Sequence, residues 1–311
     1  MKSYTQGRNL AGTWTKNTST ANLSYLDQVA NDDYRAICAL KDWPFLERRR
    51  TILTTAATQF TTLPYDTDLV RSIAVTPVGS TLLYTPRECA SREEWDRLNL
   101  NSTYKADIPE WYFVFAGQVG LWPIPVSTGN SIFVTQKTRV IDLSVADTTV
   151  TVTAVTNGSN TVTVSSGLTT LMVGQYIRIT YTGAANTGDG LWYEIAGVAS
   201  STSLTLTRNY GGTTITAGTA AATVGQMPLL PEAFQDLPWM WATGTYWQKE
   251  ADNDGRSKFF LEAHGSAPQG NMPATGRIKD LIGAYSSPTT GMVLDYGVER
   301  DQPNPNLLIS L

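Results

Sequence analysis

From Ala21 to Leu40 the apolar residues Leu23, Leu26, Val29, Ile37 and Leu40 return at steps of three and four, interrupted only around Asn31 to Asp33. That period places them on one face of a helix, with Asn17, Thr18 or Ser19 available as a cap and Pro44 as a stop. Trp43, Phe45 and Leu46 follow at once, an apolar cluster suited to anchoring the helix end on a sheet. The pattern then shortens to strand-like runs at 51–57, 68–75, 81–84, 111–115 and 131–135. Among them, Ser91-Arg92-Glu93-Glu94 reads as a capping box. Ser91 caps, Glu94 reaches back, and a short helix carrying Trp95 and Leu98 opens.

Residues 147–225 differ in kind. Their 79 positions hold twenty threonines and only five charges, Asp147, Arg178, Asp189, Glu194 and Arg208. Residues 149–153, 161–164 and 203–207 alternate Thr or Ser with an apolar residue, the period of a half-buried strand, and Asn157-Gly158 is a hairpin signal between the first two. Runs at 176–181, 191–195 and 213–216 add further strands, so the segment predicts a small all-β sandwich or barrel of about six strands.

Helical patterning returns over 226–285. Pro228 and Pro231 punctuate the start, and from 231 to 251 the aromatics Phe234, Trp239, Trp241, Tyr246 and Trp247 fall on more than one face, which predicts a helix buried on most sides. Pro238 inside the run predicts a kink. Weaker helices at 257–263 and 276–285 flank a Gly/Pro-rich break at 265–273, and an irregular tail follows. The first and third zones each lack what the other has, a sheet or helices. The expected fold is therefore α+β. Its discontinuous body, residues 1–142 with 226–285, is a helical bundle with a small β-sheet, carrying an inserted all-β sandwich or barrel (147–225) and an extended C-terminal arm (286–311).

Composition narrows the function. Charged residues make up 16% of the chain against 41% hydrophobic ones, where soluble chains carry roughly 25% charged residues. Much of the exterior is thus neutral and polar, as expected where it meets neighbours. The nine Trp and fourteen Tyr agree with this, because amphipathic rings are enriched at interfaces, although core positions account for most of them. Net charge is −4, and no basic tract extends beyond Arg48, Arg49 and Arg50, which argues against tight DNA binding. Cys38 and Cys89 have neither metal-ligand spacing nor the density of a disulfide scaffold. The first residues lack an apolar signal core, and no run approaches a membrane span, so the expectation is a reducing cytoplasm or export without a signal.

Catalytic patterns are sparse. His264 is the single histidine, beside Gly265 in an expected loop, and reads as surface rather than as a catalytic base. No G-x-S-x-G, H-E-x-x-H or Walker A run occurs. Glu250, Asp252, Asp254 and Gly255 imitate the start of a calcium loop, but Leu261 stands where the bidentate acid belongs. No catalytic, cofactor-binding or metal residue is assigned, no cofactor is expected, and the expectation is a structural protein and not an enzyme.

Four segments in fixed order carry a resemblance. They are Ile37-Cys38-Ala39-Leu40-Lys41-Asp42-Trp43-Pro44-Phe45-Leu46; Phe60-Thr61-Thr62-Leu63-Pro64-Tyr65-Asp66 with Val70-Arg71-Ser72-Ile73-Ala74-Val75; Tyr84-Thr85-Pro86 running to Ser91-Arg92-Glu93-Glu94-Trp95-Asp96-Arg97-Leu98-Asn99; and Asp107-Ile108-Pro109-Glu110-Trp111-Tyr112 leading to Gly120-Leu121-Trp122-Pro123-Ile124-Pro125. Together with Leu229-Leu230-Pro231-Glu232-Ala233-Phe234, this order resembles the head-to-tail adaptor (neck or connector) proteins of tailed bacteriophages, especially the short-tailed type. The Thr-rich segment departs from the smaller adaptors and is similar to the β modules that decorate phage tail and neck proteins.

The resemblance implies a virion neck protein, assembled in the host cytoplasm, that forms a ring, commonly twelve-fold, beneath the portal. Its partners would be further copies of itself, the portal protein, tail nozzle, fibre or spike proteins, and double-stranded DNA transiently in the lumen, with no membrane partner. The arm has apolar anchors at Met292, Leu294 and Tyr296 and again at Leu307, Leu308, Ile309 and Leu311, separated by a polar spacer at 299–306. These seven residues are the expected partner-docking positions, with the portal as the expected partner. An alternative reading makes the β segment a receptor- or carbohydrate-binding virion module in which Trp192 or Tyr193 stacks on a sugar. A glycan or cell-wall hydrolase is the enzymatic alternative, though no pair among the acids is singled out for it.

Overall fold

Two helices open the chain, α1 (Tyr4–Thr15) and α2 (Thr20–Ala39). Ser3 caps α1 through a complete capping box: its hydroxyl accepts from Gln6 N, and Gln6 Oε1 accepts from Ser3 N. Ser19 caps α2. On α2 the buried residues Leu26, Ala30, Tyr34 and Ile37 form one stripe. On α1 the buried face is Tyr4, Gly7, Ala11, Gly12 and Thr15, mostly small residues. A Cβ at Gly7 would lie 2.0 Å from Trp239 Nε1, so this helix packs by close approach and not by a large apolar stripe. Hydrophobic periodicity therefore does not announce it. The computed structural model describes residues 1–100, 104–181, 187–216, 220–249, 253–269 and 272–286. The chain divides into two units, one of Met1–Lys41 with 142 onward and the other Asp42–Ile141.

The unit Asp42–Ile141 contains β1 (Glu47–Leu53), β2 (Phe60–Thr62), β3 (Thr67–Thr76), β4 (Arg87–Glu88), α3 (Arg92–Asn99), β5 (Trp111–Phe115), β6 (Gln118–Trp122) and β7 (Ser131–Thr138). One sheet has the order β1-β7-β3, wholly antiparallel; the other has the order β2-β6-β5-β4, with β4 parallel to β5. Along β7 burial alternates strictly, and Ile132 and Val134 join Ile73, Val75, Tyr112, Val119 and Leu121 in one core. The β5–β6 turn places Ala116 and Gly117 at φ 49° and 73°, the left-handed pair that a two-residue hairpin requires. Ser91 accepts from Glu94 N at 3.2 Å to cap α3, whereas Glu94 Oε2 reaches one residue past the box to Ala90 N.

In the other unit, the Thr-rich stretch forms β8 (Thr148–Val155), β9 (Thr161–Val164), β10 (Tyr176–Ile179), β11 (Trp192–Ser200), β12 (Ser203–Leu206) and β13 (Ala220–Gly225). They close into a six-stranded barrel in the order β10-β11-β12-β9-β8-β13, sealed by β10 against β13. Its interior is filled by the apolar half of the alternation, including Val150, Val152, Val162, Val164, Ile177, Ile195, Leu204 and Val224. Asn157-Gly158 lies in a loop of residues 156–160 and not in a two-residue turn. Asn157 is drawn away from the hairpin: its side-chain amide donates to Gly211 O at 3.0 Å and Gly212 O at 2.8 Å. The run at 213–216 forms only an isolated bridge, Val155 to Ile215.

α4 (Leu237–Lys249), α5 (Asp254–His264) and α6 (Gly276–Ser286) complete this unit. Trp239 on α4 is buried and meets Tyr4 at 6.0 Å between ring centroids, and Trp14 meets Phe260 at 5.3 Å. Pro238 sits in the first turn of α4, where no intrahelical partner is needed for its missing N–H, so the helix begins there instead of kinking. At the base of the barrel the incoming and outgoing chains are laced by Gln226. Its Oε1 accepts from Ser144 N and Val145 N, and its Nε2 donates to Asp142 O.

The expected helical bundle with a small β-sheet as the body is not what the chain forms. Among the described residues there are three sheets and six α-helices. The reason lies in residues 42–141. Seven strands there bury a core of their own, and three of them (β2, β4 and β6) are too short or too Gly-interrupted to show an alternating period. The run at 81–84 goes the other way, with Tyr84 bridging to Val75 while Leu82 and Leu83 stay exposed.

Candidate assembly and binding surfaces

In Asp42–Ile141 one end of the β1-β7-β3 sheet gathers exposed apolar side chains. Leu53 and Thr76 both pair with Ser131 at that end. Leu53, Val78, Leu82, Leu83 and Val126 are each more than half exposed, although burying such side chains would be favourable. Their loops are held by polar clamps. Asn130 is buried, with its Oδ1 accepting from Val78 N at 2.9 Å and its backbone O accepting from Thr54 N at 3.0 Å. Asp107 accepts from Val126 N, Ser127 N, Ser127 Oγ and Asn130 Nδ2, all within 3.0 Å. Burial by itself raises the Asp107 pKa, but these hydrogen bonds outweigh it and hold the carboxyl below its ordinary value. The chain thus presents apolar loop tips on a rigid polar frame, a feature of interaction surfaces.

The three arginines of β1 are structural as well as basic. Arg50 pairs with the buried Asp66 at 2.8 Å, which also accepts from Gln136 Nε2 at 3.0 Å. Arg49 lies 4.4 Å from the Phe133 ring centroid, and Arg48 donates to Phe45 O.

The barrel carries an open depression of about 490 Å³, lined by Asn157, Tyr181, Gly188, Asp189, Gly212 and Thr213 among others. Asp189 Oδ1 accepts from Leu191 N at 3.0 Å, and the Tyr193 hydroxyl donates to Oδ2 while accepting from Gly211 N. Trp192 and Tyr193 are both buried, so neither is free to stack on a ligand. The exposed aromatic is Tyr181.

His264 corrects the expectation of a surface loop. It is the last residue of α5, buried, with Nε2 3.0 Å from Asp33 Oδ2, Nδ1 2.8 Å from Gly265 O, and its ring 5.1 Å from Trp241. Burial pushes the Asp33 carboxyl above its ordinary value, and the contact with His264 opposes that shift. The pair ties α2 to the end of α5. Cys89 is buried, and burial followed by Glu94 and Glu88 pushes its thiol up to about 11, which makes it a poor nucleophile. Asp254 opens α5 behind the Asn253 cap, and Glu250 and Asp252 lie outside the described residues. Among the described residues no group of three or more His, Cys, Asp or Glu is placed to hold a metal ion, and no helix is long and apolar enough to cross a membrane. The expected docking residues Met292, Leu294, Tyr296, Leu307, Leu308, Ile309 and Leu311 lie outside the described residues as well.

Sequence reasoning did not find the Asp107 clamp or the barrel depression. Each joins residues from separate loops, and the only local signals were an Asp two residues before Pro109 and a Gly-Asp-Gly turn at 188–190. No curated protein matches the chain. Residues 3–155, just under half of the chain, match the family model described as SU10 adaptor protein.

Proposed function

We propose that the chain is a head-to-tail adaptor of a short-tailed phage, forming a ring, twelve-fold in the simplest case, that joins the portal to the tail. The observation that carries this reading is the family match over residues 3–155. The clamped apolar loop tips of Asp42–Ile141 add a surface suited to contact between subunits or with head and tail proteins. The mildly acidic balance suits a lumen along which DNA phosphates slide without adhering. Residues 147–225 act as an inserted module on a discontinuous body of 1–142 and 226–285, and the Gln226 lacing of both barrel connections supports that division. The arm, 286–311, docks on the portal through its two apolar clusters.

Native mass spectrometry of the purified chain, alone and with portal protein, tests the reading. The expected result is a closed oligomer on the portal ring, and loss of that complex when 286–311 are deleted. A protein that stays monomeric with portal present would overturn the ring, whereas a truncated chain that still binds normally would overturn only the role of the arm.

A further inference from the structure

We propose that the depression on the barrel is a binding site for a neutral oligosaccharide. Its volume of about 490 Å³ falls within the range of small-ligand sites, about 300–1,000 Å³, and its lining has the chemistry that polyols need. Asp189 is fixed by Leu191 N and the Tyr193 hydroxyl, yet each carboxylate oxygen keeps a lone pair to accept from a sugar hydroxyl. Asn157 spends both amide hydrogens on Gly211 O and Gly212 O, which holds its side chain in one orientation. Its carbonyl oxygen remains as an acceptor, and Thr213 supplies a hydroxyl able to donate or accept. Tyr181, 67% exposed at the rim, offers an aromatic face for the C–H side of a pyranose ring.

Glycine is required in this wall. A Cβ at Gly188 would meet Ile179 O at 2.2 Å, and one at Gly212 would meet the Tyr210 hydroxyl at 2.3 Å. The two residues let the loops close tightly on the strands beneath and keep the depression open. Other ligand classes fit less well. The charged residue in the lining is an acid, which disfavours phosphate and other anions. Among the described residues the lining also contains no aliphatic side chain against which a peptide would seat an apolar anchor. The inference goes beyond the adaptor reading and does not depend on it.

The full-length protein, as it assembles, is applied to an array of defined bacterial surface oligosaccharides, with Tyr181→Ala and Asp189→Asn in parallel. Wild type should bind at least one neutral oligosaccharide, and each variant should lose at least tenfold in affinity with an unchanged melting curve. Tyr181→Ala, at an exposed position, keeps the test valid if Asp189→Asn disturbs its loop. Absence of binding by wild type, undiminished binding by both variants, or retention of a tail protein with no oligosaccharide bound would each overturn the proposal. Oligomerisation measured on the same samples separates this outcome from any failure of the adaptor reading.

Discussion

The two β-rich regions of the chain, residues 42–141 and the barrel of 148–225, bury the same kinds of side chain but leave very different edges. In the barrel β10 pairs with β13, so the ring of strands has no first or last member. In Asp42–Ile141 both sheets are open, with β1, β3, β2 and β4 at their margins. β1 carries Arg48, Arg49 and Arg50, charges that discourage indiscriminate strand pairing, and the exposed apolar residues gather at loop tips. A closed barrel satisfies its own backbone and needs no neighbour. An open sandwich with clamped apolar loops has surface left to cover. Asp42–Ile141 falls wholly within the matched residues 3–155, whereas β8 alone of the barrel strands does.

The largest expected effect comes from breaking one core and watching the other. Leu121 and Leu204 are each buried in separate clusters. Truncating either to Ala should cost about 2–5 kcal/mol. Hydrogen exchange read by mass spectrometry should show Leu121→Ala deprotecting peptides of 42–141 while barrel peptides stay protected, and Leu204→Ala should do the reverse. Loss of protection in both regions from either variant would mean that they unfold as one cooperative block, and the contrast drawn above would fail.

This contrast was only partly legible in the sequence. Thr149-Val150-Thr151-Val152-Thr153 announces β8 because its neutral outward face and apolar inward face alternate without a break. α2 is legible for the same reason at helical period. α1 is hidden because it packs through Gly7 and Ala11, and small residues that permit close approach carry no hydrophobic signal. The body was misread as a helical bundle because strands such as Phe60–Thr62 and Gln118–Trp122 are recognisable only from their partners across the sheet. His264 was misplaced because its partner, Asp33, stands 231 positions away. The barrel site joins 157, 181, 189 and 213, and no window of sequence contains them together.

A smaller effect should come from the clamp that distinguishes the open unit. Asp107→Ala removes four hydrogen bonds to a carboxylate and should cost about 2 kcal/mol. The pH dependence has a definite sign. The folded carboxyl is held below its unfolded value, so its contribution is complete above about pH 4 and fades as pH falls through the folded value. Urea unfolding of wild type and variant should therefore differ more at pH 7 than below pH 4. An equal difference at both pH values would show that the carboxylate charge plays no part in holding the loops.

The smallest expected effect on stability is also the sharpest test of the assembly surface. Leu82 and Leu83 are 62% and 53% exposed, and exposed substitutions away from special features usually change stability by less than about 0.5 kcal/mol. Replacing both with Ser should leave the melting temperature nearly unchanged. If these side chains are buried between subunits or against a head or tail protein, each contributes apolar area at roughly 25 cal/mol per Å² on association. Loss of the pair should then weaken the oligomer or its attachment by at least tenfold, read as a shift in the concentration at which the complex dissociates in native mass spectrometry. The polar frame beneath them, Asn130 with Thr54 and Asp107, is untouched by the substitution, so the readout isolates the apolar tips. A double variant that assembles at wild-type concentration would remove these tips from the interface and leave the open sheet margins as the surface to examine next.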